Sequence, residues 1–403
     1  MRRVAVTGVG MVSAAGCGLA AGWAAARDGA HLLEARNFSR NETDCTVEVA
    51  RVGKYDPEGH FEARRLPAID PVAQYAIVAA REAVAQAGVS FADYEDERTR
   101  CIIGSGTGGE CTHDEASYKV YGRNGTRLHP MTVPRIMLSA VPSQVALELQ
   151  VRGGVYAVSS ACASGAHAIG QAFQDIRLGQ ADIAIAGGSE ACLTLGCVKG
   201  WQALHVLSDD RCRPFSRGRR GLVLGEGAAM FVLEEFESAR RRGADILAEV
   251  SGFGMSSDAG SITAPDAGGM ARAMRSALAS AGAPADAVDH VNAHGTGTQA
   301  NDQTEYQALV EVFGDRAHAL PVTASKSVLG HALGASGAIE AAIAVETLRS
   351  GVLPPTANFV ERDADCPLDC IPGDARDAPH VDLMLSNSFA FGGLNASIAL
   401  QRA

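Results

Sequence analysis

A short apolar run, a glycine-rich turn and a helix of small residues follow one another twice in this chain, at Val155–Gly188 and again at Val322–Ser350. Other apolar runs of strand length lie at Arg3–Gly8, Cys101–Gly104, Ala181–Ala186, Ala229–Leu233, His290–Ala293 and Leu383–Ser386. Amphipathic segments at Pro71–Gln86, Gly269–Ala281 and Gly337–Arg349 separate several of them. Strands alternating with helices specify an α/β protein with central sheets covered by helices. The recurrence in both halves hints at an internal duplication. At 403 residues the chain can form two domains or one large duplicated one.

Composition narrows the function. Apolar residues make up 47% and charged residues 20%, as in globular proteins. With 45 glycines and 5% aromatics, tight turns and close backbone packing replace a bulky aromatic core. A net charge of −11 argues against nucleic acid as a general partner. The opening MRRVAVTGVGMVSAAG reads as a strand leading into a glycine turn rather than as a signal peptide, and no run reaches the roughly 18 apolar residues of a membrane span. The expected compartment is the cytoplasm. Ten cysteines in a chain of this length form no disulfide scaffold, and their spacings predict no zinc site. Most are expected to be small buried hydrophobes.

Cys162 stands apart. It lies in VSSACASGAHAIGQAFQDIRLGQA, where a strand-like run ends near Ser159–Ala161 and a helix begins around Cys162 or Ala163. Ala166, Ile169, Phe173 and Ile176 mark the buried face of that helix. Unpaired N–H groups and the dipole at a helix N-terminus favour thiolate over thiol, and small neighbours leave room for a substrate. That is how an acyl-accepting nucleophile would be built. Alone, the residue would read as a buried structural cysteine.

Three later motifs change the weighting. In NAHGTGT, His294 sits at a strand end with Gly295 and Gly297 forming the turn, while Thr296 and Thr298 could bind an extended amide-bearing ligand. In SKSVLGH, Lys326 and His331 share one strand-to-helix connection, and Glu340 on the following helix could pair with Lys326. In SNSFAFGGLN, Phe389 and Phe391 flank Ala390 before a glycine pair, which suggests a mobile loop with a bulky gate and backbone donors for an oxyanion hole.

Together these motifs resemble the β-ketoacyl-(acyl carrier protein) synthases, especially the ketoacyl synthase II type, and are also similar to the ketosynthase alpha subunits of type II polyketide synthases. The resemblance runs from VAVTGVGMVS to SNSFAFGG. It implies the thiolase fold, a duplicated five-layer α-β-α-β-α arrangement, with halves expected at 1–250, carrying the nucleophile, and 251–403, carrying the histidines and the gating loop. It implies decarboxylative Claisen condensation of an acyl group on Cys162 with a malonyl carrier. His294 and His331 would handle decarboxylation and the carbanion, and Lys326 with Glu340 would order the histidine. The N–H groups of Cys162 and Phe391 would form the oxyanion hole, Phe391 the gate, and Thr296, Thr298 and Phe389 substrate contacts. No metal or cofactor is implied, because phosphopantetheine arrives on the carrier protein. The implied partners are an acyl carrier protein and a second subunit, as a homodimer or as a heterodimer with a chain-length-factor-like chain.

Three positions depart from the family pattern. Ala390 replaces the usual Gly before the gating Phe, predicting a stiffer gate. Thr107 stands where Ile often lines the acyl tunnel, predicting altered chain preference. The segment NDQTE after His294 looks more like polyketide-type subunits. Rival classes fit less well. Chain-length factors lack the nucleophile, degradative thiolases need a second Cys near the last glycine turn, and ketoacyl synthase III would use Asn395 in place of His331. For carrier docking, the basic loop Arg211–Arg220 offers Arg211, Arg213, Arg217, Arg219 and Arg220, with Arg64 and Arg65 second.

Overall fold

The computed structural model describes residues 1–403, and the duplication hinted at by the sequence is explicit in its topology. The first half runs β1 (Val4–Ser13), α1 (Pro71–Ala87), β2 (Thr99–Gly104), α2 (Ala140–Leu149), β3 (Gly154–Val158), α3 (Ser164–Arg177), β4 (Ile183–Glu190) and β5 (Gly227–Glu235). The second repeats it as β6 (Ala248–Ser257), α4 (Ala267–Ala281), β7 (His290–Asn292), α5 (Gln299–Phe313), β8 (Val322–Thr323), α6 (Ser336–Ser350), β9 (Leu383–Ala390) and β10 (Leu394–Gln401). Strand order is β3-β2-β4-β5-β1 in one half and β8-β7-β9-β10-β6 in the other. In each, the second strand pairs in parallel with two neighbours, and the remaining pairs are antiparallel. β1 and β6 pair antiparallel, Val4 opposite Val250, and join the two half-sheets. The expected boundary after residue 250 lies inside β6.

Five layers result. α1 and α2 cover the outer face of the first half-sheet, α4 and α5 that of the second, and α3 and α6 lie between. Period-two alternation on the strands feeds separate cores. On β5, Ala229, Phe231 and Leu233 join the central core, while Ala228, Met230 and Val232 join the outer core under α1. On β9, Met384 points inward, whereas Leu383 and Leu385 join the core under α4. The equivalent outer helices α1 and α4 are bounded alike. Asp70 and Asp266 cap their N-termini, and Gly88 and Gly282 end them in the left-handed conformation.

The inner helices explain the demand for small residues. α3 and α6 meet near their N-termini, where a Cβ on Gly165 would lie 3.0 Å from Ala338 N and one on Gly337 would lie 3.0 Å from Ala166 N. Side chains there would hold apart the two turns that carry the chemistry. The Pro- and Asp-rich composition of Glu361–Pro379 reads as a surface loop, and so does the basic loop Arg211–Arg220, yet both turn inward in part. Cys366, Leu368, Cys370 and Ile371 of the 361–379 stretch are buried, as are Cys212, Phe215 and Arg219 of the basic loop.

Candidate active site

Cys162 lies in a single 3₁₀ turn, Ala161–Ala163, between β3 and α3. Ala161 adopts φ +50°, a left-handed conformation that is costly outside glycine. Ser164 stabilises the turn by accepting from Ser160 N at 2.9 Å and donating to Ala161 O at 2.7 Å. Cys162 is buried, 6% exposed as a residue, and its sulfur faces the backbone N–H groups of Phe391 and of Cys162 itself. Burial pushes the thiol up to about 12, against the pull of the Lys326 ammonium and the two N–H groups. The helix terminus alone predicts a thiolate; enclosure by both half-sheets outweighs it, so the resting group is a thiol.

His294 lies two residues beyond β7. Its N–H and that of Gly295 both donate to Glu305 on α5 at 2.8 Å, and Gly297 N donates to Asp302 at 3.2 Å. Gly295 and Gly297 have φ of +39° and +80°, which their lack of a Cβ permits. Asp302 and Glu305 belong to NDQTE, the segment singled out as a pathway marker. Here they anchor the histidine turn.

His331 follows the one-turn helix Lys326–Leu329. Its N–H donates to Val223 O at 2.7 Å and its carbonyl accepts from Gly225 N at 2.9 Å, so a first-half segment holds it. Its Nδ1 lies 2.8 Å from Ser336 Oγ. The two imidazoles are edge to face, centroids 5.5 Å apart. Lys326 Nζ sits behind them, ion-paired with Glu340, 3.2 Å from His294 Nδ1 and 2.6 Å from His294 O. An ammonium only donates, so His294 Nδ1 accepts and the ring proton lies on Nε2. Burial, then the Lys326 charge, holds both histidines well below the usual imidazole range, and both are neutral. Burial raises the Glu340 carboxyl to about 7 despite Lys326.

Cys162, His294, His331, Thr296, Thr298, Phe389 and Phe391 all line one cavity of about 220 Å³. Phe389 packs edge-on against His294 at 6.2 Å. Thr296 and Thr298 share a hydroxyl contact of 2.9 Å. Lys326 and Glu340 stand outside the wall, behind His294. Ala390 lines the cavity too, but it ends β9 outside the left-handed region, so the loop carries no backbone strain there in this conformation. The glycines that need positive φ are Gly392 (+85°) and Gly393 (+67°).

Thr107 does not line this cavity. Its hydroxyl donates to Glu190 at 2.7 Å, one of five donors on that buried carboxylate. The basic loop is largely neutralised. Arg213 binds Asp210 through two bonds of 2.9 and 2.7 Å, and Arg219, 3% exposed, is enclosed with Asp302 and Asp363. Arg217 and Arg220 are exposed but paired with Glu361 and Asp209. Arg64 is exposed beside Glu62, and Arg65 is tied to Glu148 at 2.5 Å. Sequence reasoning missed Trp201, which lines the cavity and stacks on Phe391. It also missed Ser336 and Glu190. Only the recurrence of Ala-Ser-Gly-Ala after Cys162 and after Gly334 could have flagged Ser336.

The chain matches the Beta-ketoacyl synthase, N-terminal domain over residues 1–239 and the Beta-ketoacyl synthase, C-terminal domain over residues 247–360. It is 43% identical over 403 residues to Nodulation protein E of a Rhizobium species, covering 100% of this chain and 99% of the relative. It is 39% identical over 425 residues to 3-oxoacyl-[acyl-carrier-protein] synthase 2 of Rhizobium meliloti, again covering 100% and 99%. Among solved structures it is similar to the ishigamide ketosynthase/chain length factor, with TM-score 0.92, 36% identity and coverage of 100% and 99%. It is also similar to a Beta-ketoacyl synthase from Burkholderia phymatum, with TM-score 0.89, 35% identity and full coverage of both chains. No helix is long and apolar enough to cross a membrane. By its two matched domains, its full-length relatives and its duplicated fold, the chain belongs to the beta-ketoacyl synthase family of condensing enzymes.

Proposed function

We propose that the protein is an acyltransferase that joins an acyl group held on Cys162 to a malonyl group on an acyl carrier protein. The observation that supports this best is the meeting of one thiol, two neutral imidazoles and two backbone donors in a single cavity. Cys162 Sγ attacks an acyl thioester, and its proton leaves with the departing carrier thiol. The N–H groups of Cys162 and Phe391 hold the oxyanion of the tetrahedral intermediate. With the malonyl carrier bound, the C–C bond to the carboxylate breaks and CO₂ departs. The electron pair becomes an enolate whose oxygen accepts hydrogen bonds from His294 and His331. The enolate carbon attacks the acyl-Cys162 carbonyl, and collapse expels the Cys162 sulfur. The product is a β-ketoacyl carrier, and the expelled Cys162 thiolate takes up one proton from solvent, replacing the one that left with the first carrier thiol. Lys326, fixed by Glu340, keeps the His294 proton on the nitrogen facing substrate. None of these steps calls on a redox group or a resident metal, and phosphopantetheine is carried in by the partner.

The decisive test is intact-mass analysis after incubation with acyl carrier thioesters, then with malonyl carrier, using Cys162→Ala as control. Acyl loading on the parent protein only, followed by release as a ketoacyl carrier, is expected. Loading on Cys162→Ala would refute the assignment of the nucleophile. Carrier docking is assigned to the exposed Arg217 and Arg64, with Arg213 and Arg65 contributing when their carboxylate partners release them. Charge reversal at Arg213 and Arg217 should weaken carrier binding and flatten its salt dependence.

One observation favours a second reading, in which activity needs a non-catalytic partner subunit. Two of the similar solved structures are ketosynthases with a chain length factor by their titles. β3 is an edge strand with an open hydrogen-bonding side, as such a partner or a second copy would require. Loading by the isolated chain would exclude that reading. Substrates from a fatty acid or a type II polyketide route satisfy the same chemistry.

A further inference from the structure

Trp201 has no part in the condensation as described, yet it touches the gate. It projects from the helix Leu195–Ala203, and its indole lies against the Phe391 ring with centroids 5.7 Å apart and planes 19° from parallel. Both rings line the cavity that holds Cys162, and Trp201, Leu204, Val206 and Leu222 form one apolar wall of it. Phe391 itself sits in a three-residue turn whose next two positions are glycines with positive φ. The backbone of that turn is pinned by bonds from Gly392 N to Ile262 O at 2.7 Å and from Asp258 N to Gly393 O at 3.0 Å, but neither of these contacts orients the Phe391 ring. The stack does. It also places the ring of the residue whose own N–H faces Cys162.

We propose that Trp201 is a positioning and specificity-determining residue. It latches the Phe391 gate in the closed position, and its bulk limits the acyl groups that fit beside Cys162. Acylation of Cys162 then has to part the stack, and groups too wide to share the wall with the indole are excluded. The assignment rests on the condensing role of this site, but its test does not.

Trp201 and Trp23 are the two tryptophans of the chain, and Trp23 is buried in the central core away from the cavity. A Trp23→Phe background therefore makes emission a reporter of Trp201 alone. Cys162 is alkylated in the full-length protein with iodoacetamide and with N-alkyl iodoacetamides of increasing chain length and branching, and the modification at Cys162 is followed by peptide mass. Modification should change Trp201 emission, and Phe391→Ala should abolish that change. Trp201→Ala should speed alkylation of Cys162 about three- to tenfold, the range expected from losing one aromatic stack. It should also shift the ratio of branched to small reagents about tenfold towards the branched one. Trp201→Phe should restore most of the slow rate but not the selectivity. Equal rates and equal reagent ratios in Trp201→Ala, with a parent-like melting temperature, would overturn the proposal. So would an emission unchanged by modification. If Trp201→Ala fails to fold, Trp201→Phe carries the selectivity arm. Failure of acyl transfer from carriers, with these alkylation results intact, would count against the condensing role and not against the latch.

Discussion

The two inner turns of the molecule are built to one plan and used oppositely. Ala161-Cys162-Ala163-Ser164-Gly165-Ala166 opens α3, and Leu333-Gly334-Ala335-Ser336-Gly337-Ala338 opens α6. Each starts with a non-glycine residue at positive φ, +50° at Ala161 and +40° at Leu333, and each passes through a 3₁₀ turn before its helix begins at a serine. Each faces the end of the other half's fourth strand. Gly334 meets the end of β4, where the Glu190 carboxylate accepts its N–H at 2.9 Å. Cys162 meets the end of β9, where the Phe391 N–H points at its sulfur. A helix N-terminus attracts negative charge. In one half the Glu190 carboxyl fills that position as part of the fold, with burial raising it above the usual carboxylate range against the pull of its donors. In the other no such group is present at rest, and the site waits for a charge that forms during reaction. A duplicated fold gains a catalytic site by leaving one of two equivalent anion positions vacant, and gains rigidity by filling the other.

The comparison can be broken most severely at the vacant site. Cys162→Ala should reduce acyl loading by at least about 10³-fold, read by intact mass, because the remaining groups bind but cannot accept the acyl chain. Moving the thiol across the pseudo-symmetry, as Cys162→Ala with Gly334→Cys, should not restore loading. A Cβ on Gly334 would lie 2.4 Å from Gly106 N and 2.7 Å from Glu190 Oε2, so even Gly334→Ala should cost about 1–3 kcal/mol in thermal or urea unfolding.

Next comes the filled site. Glu190→Gln turns an acceptor of five donors into a group that must itself donate, leaving buried N–H groups unpaired. A loss of about 1–3 kcal/mol by urea unfolding is expected, with Cys162 still able to load. Thr107→Ile removes two of those five interactions at most, and its effect should be smaller and in the same direction. A large change in chain-length preference with no loss of stability would place Thr107 in the acyl path after all.

The histidine pair supplies a pH signature. Both imidazoles have folded values held well below their unfolded ones, so below about pH 6.5 the unfolded chain binds protons that the folded chain refuses. Stability from these two groups is complete above that pH and is lost as pH falls through the unfolded value, at up to about 2.7 kcal/mol per pH unit for the pair. Glu305 and Glu340, raised to about 7, act in the opposite sense. The difference between the parent protein and His294→Gln/His331→Gln isolates the pair, and a difference that does not vary between pH 7 and pH 5 would show that the rings are solvated. The smallest effect should come from Ala390→Gly. With no positive φ to relieve, it should cost about 0.5–1 kcal/mol of stability through backbone entropy. Faster transacylation in that variant would show that the open gate, unlike the closed one, needs a left-handed residue there.

Local chemistry was readable from the sequence, and long-range chemistry was not. Strand and helix alternation, the glycine turn around His294 and the Lys326–Glu340 pair all depend on residues within a helical turn or one connection, and they lie where the pattern puts them. Cys162 as a thiolate was a local inference from a helix terminus, and tertiary enclosure reversed it. The basic loop looked free because the residues that neutralise Arg217 and bury Arg219, Glu361 and Asp363, lie over 140 positions away. Trp201 and Glu190 are invisible for the same reason, since Trp201 matters through Phe391 of the opposite half and Glu190 through Gly334 of the opposite half and a turn some 85 positions upstream.

The hold on His331 has a further consequence. Its backbone bonds to Val223 and Gly225, so the second half cannot set its own histidine without the first, and the first cannot complete the donors around its own sulfur without Phe391 of the second. Split between Glu235 and Ala248, the protein would behave as two silent fragments. Turnover recovered on mixing them would report docking of the halves, which makes catalysis itself a gauge of complete assembly.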